Sequence, residues 1–304
     1  MERVYDMIVI GGGPGGYTAA LYGARAGMDV LILEKLSAGG QMALTSQVDN
    51  YPGFPEGVDG FELAENMQQQ AERFGAKTEL AEVLAVDLEA NPKVLHTSEG
   101  DFYGRTVVVA TGADPRKLGL PLERELTGKG VNYCAHCDGH FYRGKTVVVV
   151  GGGNTAAAEA LYLSRLCEKV IIVHRRDTLR ATKIYHAPLL EARNVEFVWN
   201  STVTELLQNG RLQGVRVTDT VTGESREIPC DGLFVSVGRA PNTSLFPQLA
   251  KDEAGYLVAG ESTQTDIPGV YAVGDVRTKE LRQIVTAVSD GATAAHHAEI
   301  FLYD

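Results

Sequence analysis

A chain of 304 residues is long enough for two domains, each burying its own core. Its 44% apolar and 22% charged residues exclude a disordered chain, and 34 glycines point to several tight turns that bring backbone close to ligands. The net charge of −11 disfavours nucleic acid and anionic membrane as partners, because both call for a basic surface.

The opening MERVYDMIVIGGG carries an apolar run too short for a signal-peptide core, so it reads as a strand. No stretch is long and apolar enough to span a bilayer. Four cysteines, with Cys167 and Cys230 far apart, make no secreted disulfide framework, and a cytosolic (cytoplasmic) location is expected.

From Tyr5 to Lys35 the pattern is a β-α-β unit: an apolar strand, a glycine turn, an Ala/Leu-rich helix and a second apolar strand. Gly11 suits the tight turn, Gly13 the close approach of a pyrophosphate, and Gly16 the packing of helix on strand. The pyrophosphate would sit at the helix N-terminus. Glu34, at the second strand's end, suits the ribose hydroxyls of an adenine dinucleotide with a free 2′-OH, such as FAD or NAD.

Further along, ATGADPRKLGLP closes an apolar strand with Gly and Pro, as a crossover linker does. Then comes NYCAHCDGHF (132–141), whose C-x-x-C can hold a metal, staple a loop or exchange electrons. Zinc would need His136 and His140 beside Cys134 and Cys137, four ligands within seven residues, which strains a tetrahedron, so no metal is expected. A structural staple is unusual in a cytosolic chain. Cys167 is expected on the following amphipathic helix, packed in the core, and Cys230 at a strand end.

The β-α-β unit is then written again from Lys145 to Arg176, displaced by 140 positions: Gly151 answers Gly11, Gly153 answers Gly13, Ala156 answers Gly16 and His174 answers Glu34. Here the carboxylate is replaced by HRRDTLR, whose Arg175, Arg176 and Arg180 suit the 2′-phosphate of NADPH. VGRAPNT (237–243) marks a second crossover. Two dinucleotide sites in one chain imply electron relay from a nicotinamide through a flavin, with the C-x-x-C as acceptor.

The motifs GGGPGGYTAALY (11–22), GGQM (39–42), VDNYPGFPEG (48–57), ATGA (110–113), CAHCDG (134–139), GGGNTAAAEALYL (151–163), VHRRDTLRA (173–181), VGRAPNT (237–243) and VYAVGDVRTKELRQIVTAVSDG (270–291) cover nearly the whole chain. In this order they resemble the low-molecular-weight thioredoxin reductases. The glutathione reductase type carries its dithiol near the N-terminus. The resemblance implies an α/β fold with two Rossmann-like dinucleotide-binding domains, the second inserted into the first. Residues 1–113 and 241–304 would form the FAD domain and 114–240 the NADPH domain. It further implies FAD held by Gly11, Gly13, Pro14, Gly16, Glu34, Gly40, Gln41, Asn50, Gly112, Gly274, Asp275, Arg282, Gln283 and Ile284. NADPH would be held by Gly151, Gly153, Asn154, Thr155, His174, Arg175, Arg176 and Arg180.

By the same resemblance Cys134 and Cys137 are the redox pair, Asp138 carries the proton that a newly formed thiolate needs, and the partner is thioredoxin or a thioredoxin-like protein, with a homodimer expected. The inserted domain would rotate about linkers near 112–115 and 238–241. His136 departs from the family's usual Ala-Thr inner pair; protonated, it would stabilise a thiolate and make the disulfide more oxidising. Arg239 also departs and carries no functional weight. Rival readings are a reductase for a peroxiredoxin system or a small-molecule dithiol, a ferredoxin-dependent relative, and a flavin redox sensor without catalysis.

Overall fold

The computed structural model describes residues 3–45 and 47–303. They fall into two compact units: the first runs to Asp114 and resumes at Ala240, and the second spans Pro115–Arg239. The first segment contains β1 (Val4–Ile10), α1 (Pro14–Arg25), β2 (Val30–Glu34), α2 (Gly60–Arg73), β3 (Lys77–Leu80), β4 (Val83–Asp87), β5 (Lys93–Thr97), β6 (Gly100–Val109) and the crossing strand β7 (Ala113–Pro115). The insertion contains β8 (Val131–Asn132), α3 (Ala135–Asp138), β9 (Thr146–Val150), α4 (Asn154–Ser164), β10 (Lys169–Val173), α5 (His186–Glu191), β11 (Val195–Val198), β12 (Ser201–Gln208), β13 (Leu212–Asp219), β14 (Ser225–Pro229) and β15 (Gly232–Val235). The chain returns through β16 (Arg239–Pro241) and ends with β17 (Val270–Ala272) and α6 (Ile284–Tyr303).

In the first unit the strand order is β3-β2-β1-β6-β5-β4, with β17 also paired to β6. Strand β1 runs parallel to β2 and β6, with Met7 opposite Val30 and Ile8 opposite Val107. Both faces of these central strands are covered, which is why their sequences are apolar at consecutive positions rather than at alternate ones. Met7, Val9, Val30 and Ile32 join Tyr17 and Ala19 of α1 and Ala294, Ala295 and Ala298 of α6 in one core. Ile8, Ile10, Leu31 and Leu33 point the other way, into a core with Leu95, Phe246 and Leu257. Helices α1 and α6 approach closely where both are glycine: a Cβ on Gly291 would strike the Gly15 carbonyl.

The second unit is built on the parallel order β11-β10-β9-β15-β8, flanked by the antiparallel sheet β12-β13-β14. Val147, Val149 and Ile172 pack against Ala156, Ala160 and Leu163 of α4. Val148, Val150, Ile171 and Val173 pack against Val203 and Val215 of the antiparallel sheet. Helix α4 ends at Ser164, so Cys167 lies in the turn after it rather than within it; its N–H still reaches the Leu163 carbonyl at 2.8 Å and the residue is buried. Cys230 is buried directly after β14. Among the described residues no helix is long and apolar enough to cross a membrane.

The two segments of the first unit meet at the crossover, where Asn242 N–H donates to the Gly112 carbonyl at 3.0 Å and Thr111 Oγ1 donates to the Asn242 carbonyl at 2.7 Å. At the ends of the inserted unit, Arg116 N–H donates to the Gly238 carbonyl, also at 3.0 Å.

Candidate active site and dinucleotide loops

The 140-residue displacement survives at the level of single hydrogen bonds. Gly11 N–H donates to the Leu33 carbonyl and Gly151 N–H to the Val173 carbonyl; Tyr17 N–H donates to Gly13 and Ala157 N–H to Gly153. Gly11 (φ +103°) and Gly151 (φ +148°) both lie where an L side chain is strained. The third positions differ for a local reason: a Cβ at Gly16 would strike the Gly11 carbonyl, whereas Ala156 lies beneath Gly151 with its methyl buried.

Neither α1 nor α4 has a side-chain cap at its N-terminus, and a Cβ at Gly13 or Gly153 would meet nothing within 4 Å. First-turn N–H groups therefore receive no acceptor from a capping side chain, the arrangement that suits an anion. Pro14 stands in the first turn of α1, where its missing donor costs nothing. Asn154 and Thr155 stand at the equivalent place in α4, and Asn154 Oδ1 accepts from Thr182 N–H at 2.8 Å. Both helix starts fit a pyrophosphate.

The strand ends are shaped differently. Glu34 Oε2 accepts from Gly12 N–H at 2.5 Å, and Oε1 accepts from Lys35 and Leu36 N–H. His174 is buried, with its ring where a Cβ on Gly152 would have to go and its Nε2 lacking a hydrogen-bond partner. Burial, then Arg180, Arg175 and Arg176, push its pKa down, so the imidazole is neutral and the positive charge of this site resides on the three exposed guanidiniums. Arg180 is returned to the loop by its own backbone, whose N–H donates to the Gly152 carbonyl at 2.7 Å.

The remaining first-unit residues gather from distant segments. Asn50 Nδ2 donates to Gln283 Oε1 at 2.9 Å, and Gln41 Nε2 to Asp114 Oδ1 at 2.8 Å. Gly40 and Gly112 take positive φ, and Ile284 opens α6. Arg282 stacks over the Tyr256 ring at 4.0 Å, and its Nε donates to the Asp275 carbonyl at 3.4 Å. The Gly274-Asp275 turn is fixed by a side chain that sequence reasoning missed: Asp290, whose Oδ2 accepts from Gly274 N–H at 2.8 Å. The same buried carboxylate pairs with Arg277 at 2.7 Å and Lys279 at 2.6 Å.

Cys134 and Cys137 are joined as a disulfide with Cα atoms 5.3 Å apart. Cys134 caps the short helix α3, its Sγ accepting from Cys137 N–H at 3.2 Å. Asp138 follows, half-buried; desolvation, opposed by His140 and reinforced by Glu159, pushes its carboxyl up to about 6. His136 stacks one face on Tyr162 of α4, ring centroids 4.4 Å apart, and this partial burial lowers its pKa. With the disulfide closed, the neutral imidazole is thereby favoured. Among the described residues no three His, Cys, Asp or Glu side chains come together as a metal site. The sequence reading also missed Glu159 and Ser236, buried beside the dithiol turn, and Glu123, which accepts from the N–H groups of Leu118, Gly119 and Leu120 and from Tyr133 Oη, one residue ahead of Cys134.

The family model for pyridine nucleotide-disulphide oxidoreductases matches residues 5–291. The chain is 46% identical over 306 residues to a thioredoxin reductase of Streptomyces clavuligerus, covering 99% of this chain and 95% of the relative. It is 44% identical over 303 residues to a thioredoxin reductase of Bacillus subtilis (strain 168), covering 99% and 96%. Among solved structures it superposes on a thioredoxin reductase from Streptococcus pyogenes MGAS5005 with TM-score 0.92, 40% identity and 99% of both chains covered. A thioredoxin reductase from Giardia duodenalis gives TM-score 0.93 at 34% identity, with both chains fully covered.

Proposed function

The chain belongs to the pyridine nucleotide-disulphide oxidoreductases, and from that premise we propose that it is a thioredoxin reductase: an FAD enzyme that carries electrons from NADPH through Cys134–Cys137 to the disulfide of thioredoxin or a thioredoxin-like protein. The Cys134–Cys137 disulfide, followed at once by a half-buried carboxyl with raised pKa, is the observation that carries this reading.

The first unit would hold FAD on the α1 N-terminus, with Glu34 toward the ribose and Asn50, Gln283 and the Gly274-Asp275 turn contributing from other segments. The inserted unit would hold NADPH on the α4 N-terminus, with Arg175, Arg176 and Arg180 on the 2′-phosphate. When bound, the nicotinamide supplies a hydride and the flavin passes its two electrons on.

The chain's own residues do the sulfur chemistry. Two electrons and two protons open the Cys134–Cys137 bond to a dithiol, and Asp138, with a carboxyl pKa raised to about 6, would deliver a proton to a departing thiolate. One thiolate then attacks the partner's disulfide, forming a mixed disulfide and releasing the partner's first thiolate. The second cysteine displaces the partner's other sulfur and restores the intramolecular disulfide. A cytoplasmic setting and a homodimer complete the proposal.

Anaerobic titration of the flavin-loaded protein with NADPH and with NADH, followed at the flavin absorption band, tests it. Bleaching by NADPH in preference to NADH, with colour restored by oxidised thioredoxin, is the expected result. No bleaching by NADPH would put a ferredoxin-dependent enzyme or a sensor in its place.

A further inference from the structure

Helix α4 serves two sites at once. Its N-terminal turn follows the second glycine loop, and its next two turns form the seat of the dithiol turn. Glu159 is the only acidic residue in this helix (NTAAAEALYLS), and it is buried at 7% exposure in an otherwise alanine- and leucine-rich surface. A buried carboxylate is costly unless its oxygens are used. Both are: Oε1 accepts from Ala135 N–H at 3.2 Å, and Oε2 accepts from Ser236 Oγ. Ser236 is itself buried and tied to the sheet, its N–H donating to the Val150 carbonyl at 2.9 Å.

Ala135 N–H belongs to the peptide joining Cys134 to Ala135, so Glu159 grips the backbone directly beside one sulfur. One turn further along α4, Tyr162 stacks on His136, and a Cβ on Gly139 would press on Tyr162 and Leu163 at 3.0 Å. Residues 159, 162 and 163 share one helix face by their spacing, and together they meet the dithiol turn at its start, middle and end.

We infer that Glu159 is a positioning residue for the dithiol, holding the Cys134–Ala135 peptide so that the two sulfurs stay within bonding reach after the disulfide opens. This inference deepens the disulfide-reductase reading and rests on it. In the disulfide state the S–S bond itself constrains the turn. In the dithiol state that constraint is gone, and the closure entropy depends on how firmly the backbone is held. A firm turn favours reclosure and makes the dithiol the stronger reductant toward a partner's disulfide.

The test is the equilibrium of the purified holoprotein with reduced and oxidised glutathione, read by alkylating free thiols, for wild type, Glu159→Ala, Glu159→Gln and Ser236→Ala. Glutamine can accept from Ala135 and donate to Ser236, so Glu159→Gln should match wild type. Glu159→Ala should shift the dithiol–disulfide equilibrium about 3- to 10-fold toward the dithiol, the worth of one ordinary hydrogen bond. Ser236→Ala, which frees only the second oxygen, should shift it less in the same direction, and it stands in if Glu159→Ala does not fold. Hydrogen exchange at the Ala135 amide should quicken in Glu159→Ala and stay slow in Glu159→Gln.

An unchanged equilibrium in Glu159→Ala, or in Ser236→Ala should the alanine variant at 159 not fold, overturns the inference, as does an equal shift in Glu159→Gln. Because the readout needs neither NADPH nor thioredoxin, it separates this inference from the proposed function. A wild-type protein that NADPH cannot reduce would refute the reductase reading while leaving the dithiol equilibrium measurable.

Discussion

Asp138 owes its acidity to position. Burial is the main cause of its pKa rise to about 6, and the charge on Glu159 adds to it while His140 opposes it. Such a group is protonated below about pH 6 and loses its proton as pH rises through that value. Reduction of the disulfide should therefore slow on the alkaline side of that point, and Asp138→Asn should abolish this limb of the pH–rate profile while lowering turnover by about 10²- to 10⁴-fold. The arginines permit a separate check. Removing Arg175, Arg176 or Arg180 should raise KM for NADPH about 10- to 100-fold and leave NADH unaffected, since a charge-assisted bond to a phosphate is worth about 1.5–3 kcal/mol. The arginines' place beside the second glycine loop was legible in the sequence because it is written locally. Glu159, Asp290 and Glu123 were not. Each is an ordinary acidic residue in its own stretch, and what distinguishes it is burial against a partner such as Ser236, Arg277 or Tyr133, brought close only by the fold.

The two β-α-β units were legible as elements because a parallel sheet covered on both faces leaves consecutive apolar residues, and a glycine turn punctuates them. The antiparallel sheet β12-β13-β14 carries a weaker signal: Asn209-Gly210 between two alternating runs, a hairpin mark that has to be read against the stronger glycine loops. At this scale the difference between Gly16 and Ala156 becomes a prediction. Gly16→Ala should prevent stable FAD binding, because its methyl would strike the Gly11 carbonyl, whereas Ala156→Gly should leave NADPH affinity nearly intact; flavin content after purification and an NADPH titration decide. The turn before α6 gives another. Burial alone would raise the Asp290 pKa, but Arg277, Lys279 and Gly274 N–H outweigh it and hold the carboxyl below its usual range. A carboxylate depressed in this way stabilises the fold above its unfolded pKa, and the contribution is lost as pH falls through the lower folded value. Asp290→Ala strands two buried cations and should cost about 3–5 kcal/mol, read as a fall in melting temperature at neutral pH.

At the scale of the molecule, the insertion leaves and re-enters its host at neighbouring points, as the Asn242 N–H to Gly112 carbonyl bond shows. The inserted unit's own ends are likewise tied, Arg116 to Gly238, and its two hydrophobic cores are made of its own residues. Residues 115–239 expressed alone should therefore fold and bind NADPH without binding FAD, which calorimetry on the isolated piece can check; a molten fragment would show that its cores need the host. Helix α6 carries a different consequence, one of timing during synthesis. Its Ala294, Ala295 and Ala298 complete the core that begins with Met7 and Val9, yet they leave the ribosome after the whole inserted unit. At ordinary elongation rates the first β-α-β unit waits roughly 13–50 s for them. Through that interval the nascent chain presents an uncovered apolar face, and the first unit can complete this core only once α6 has emerged.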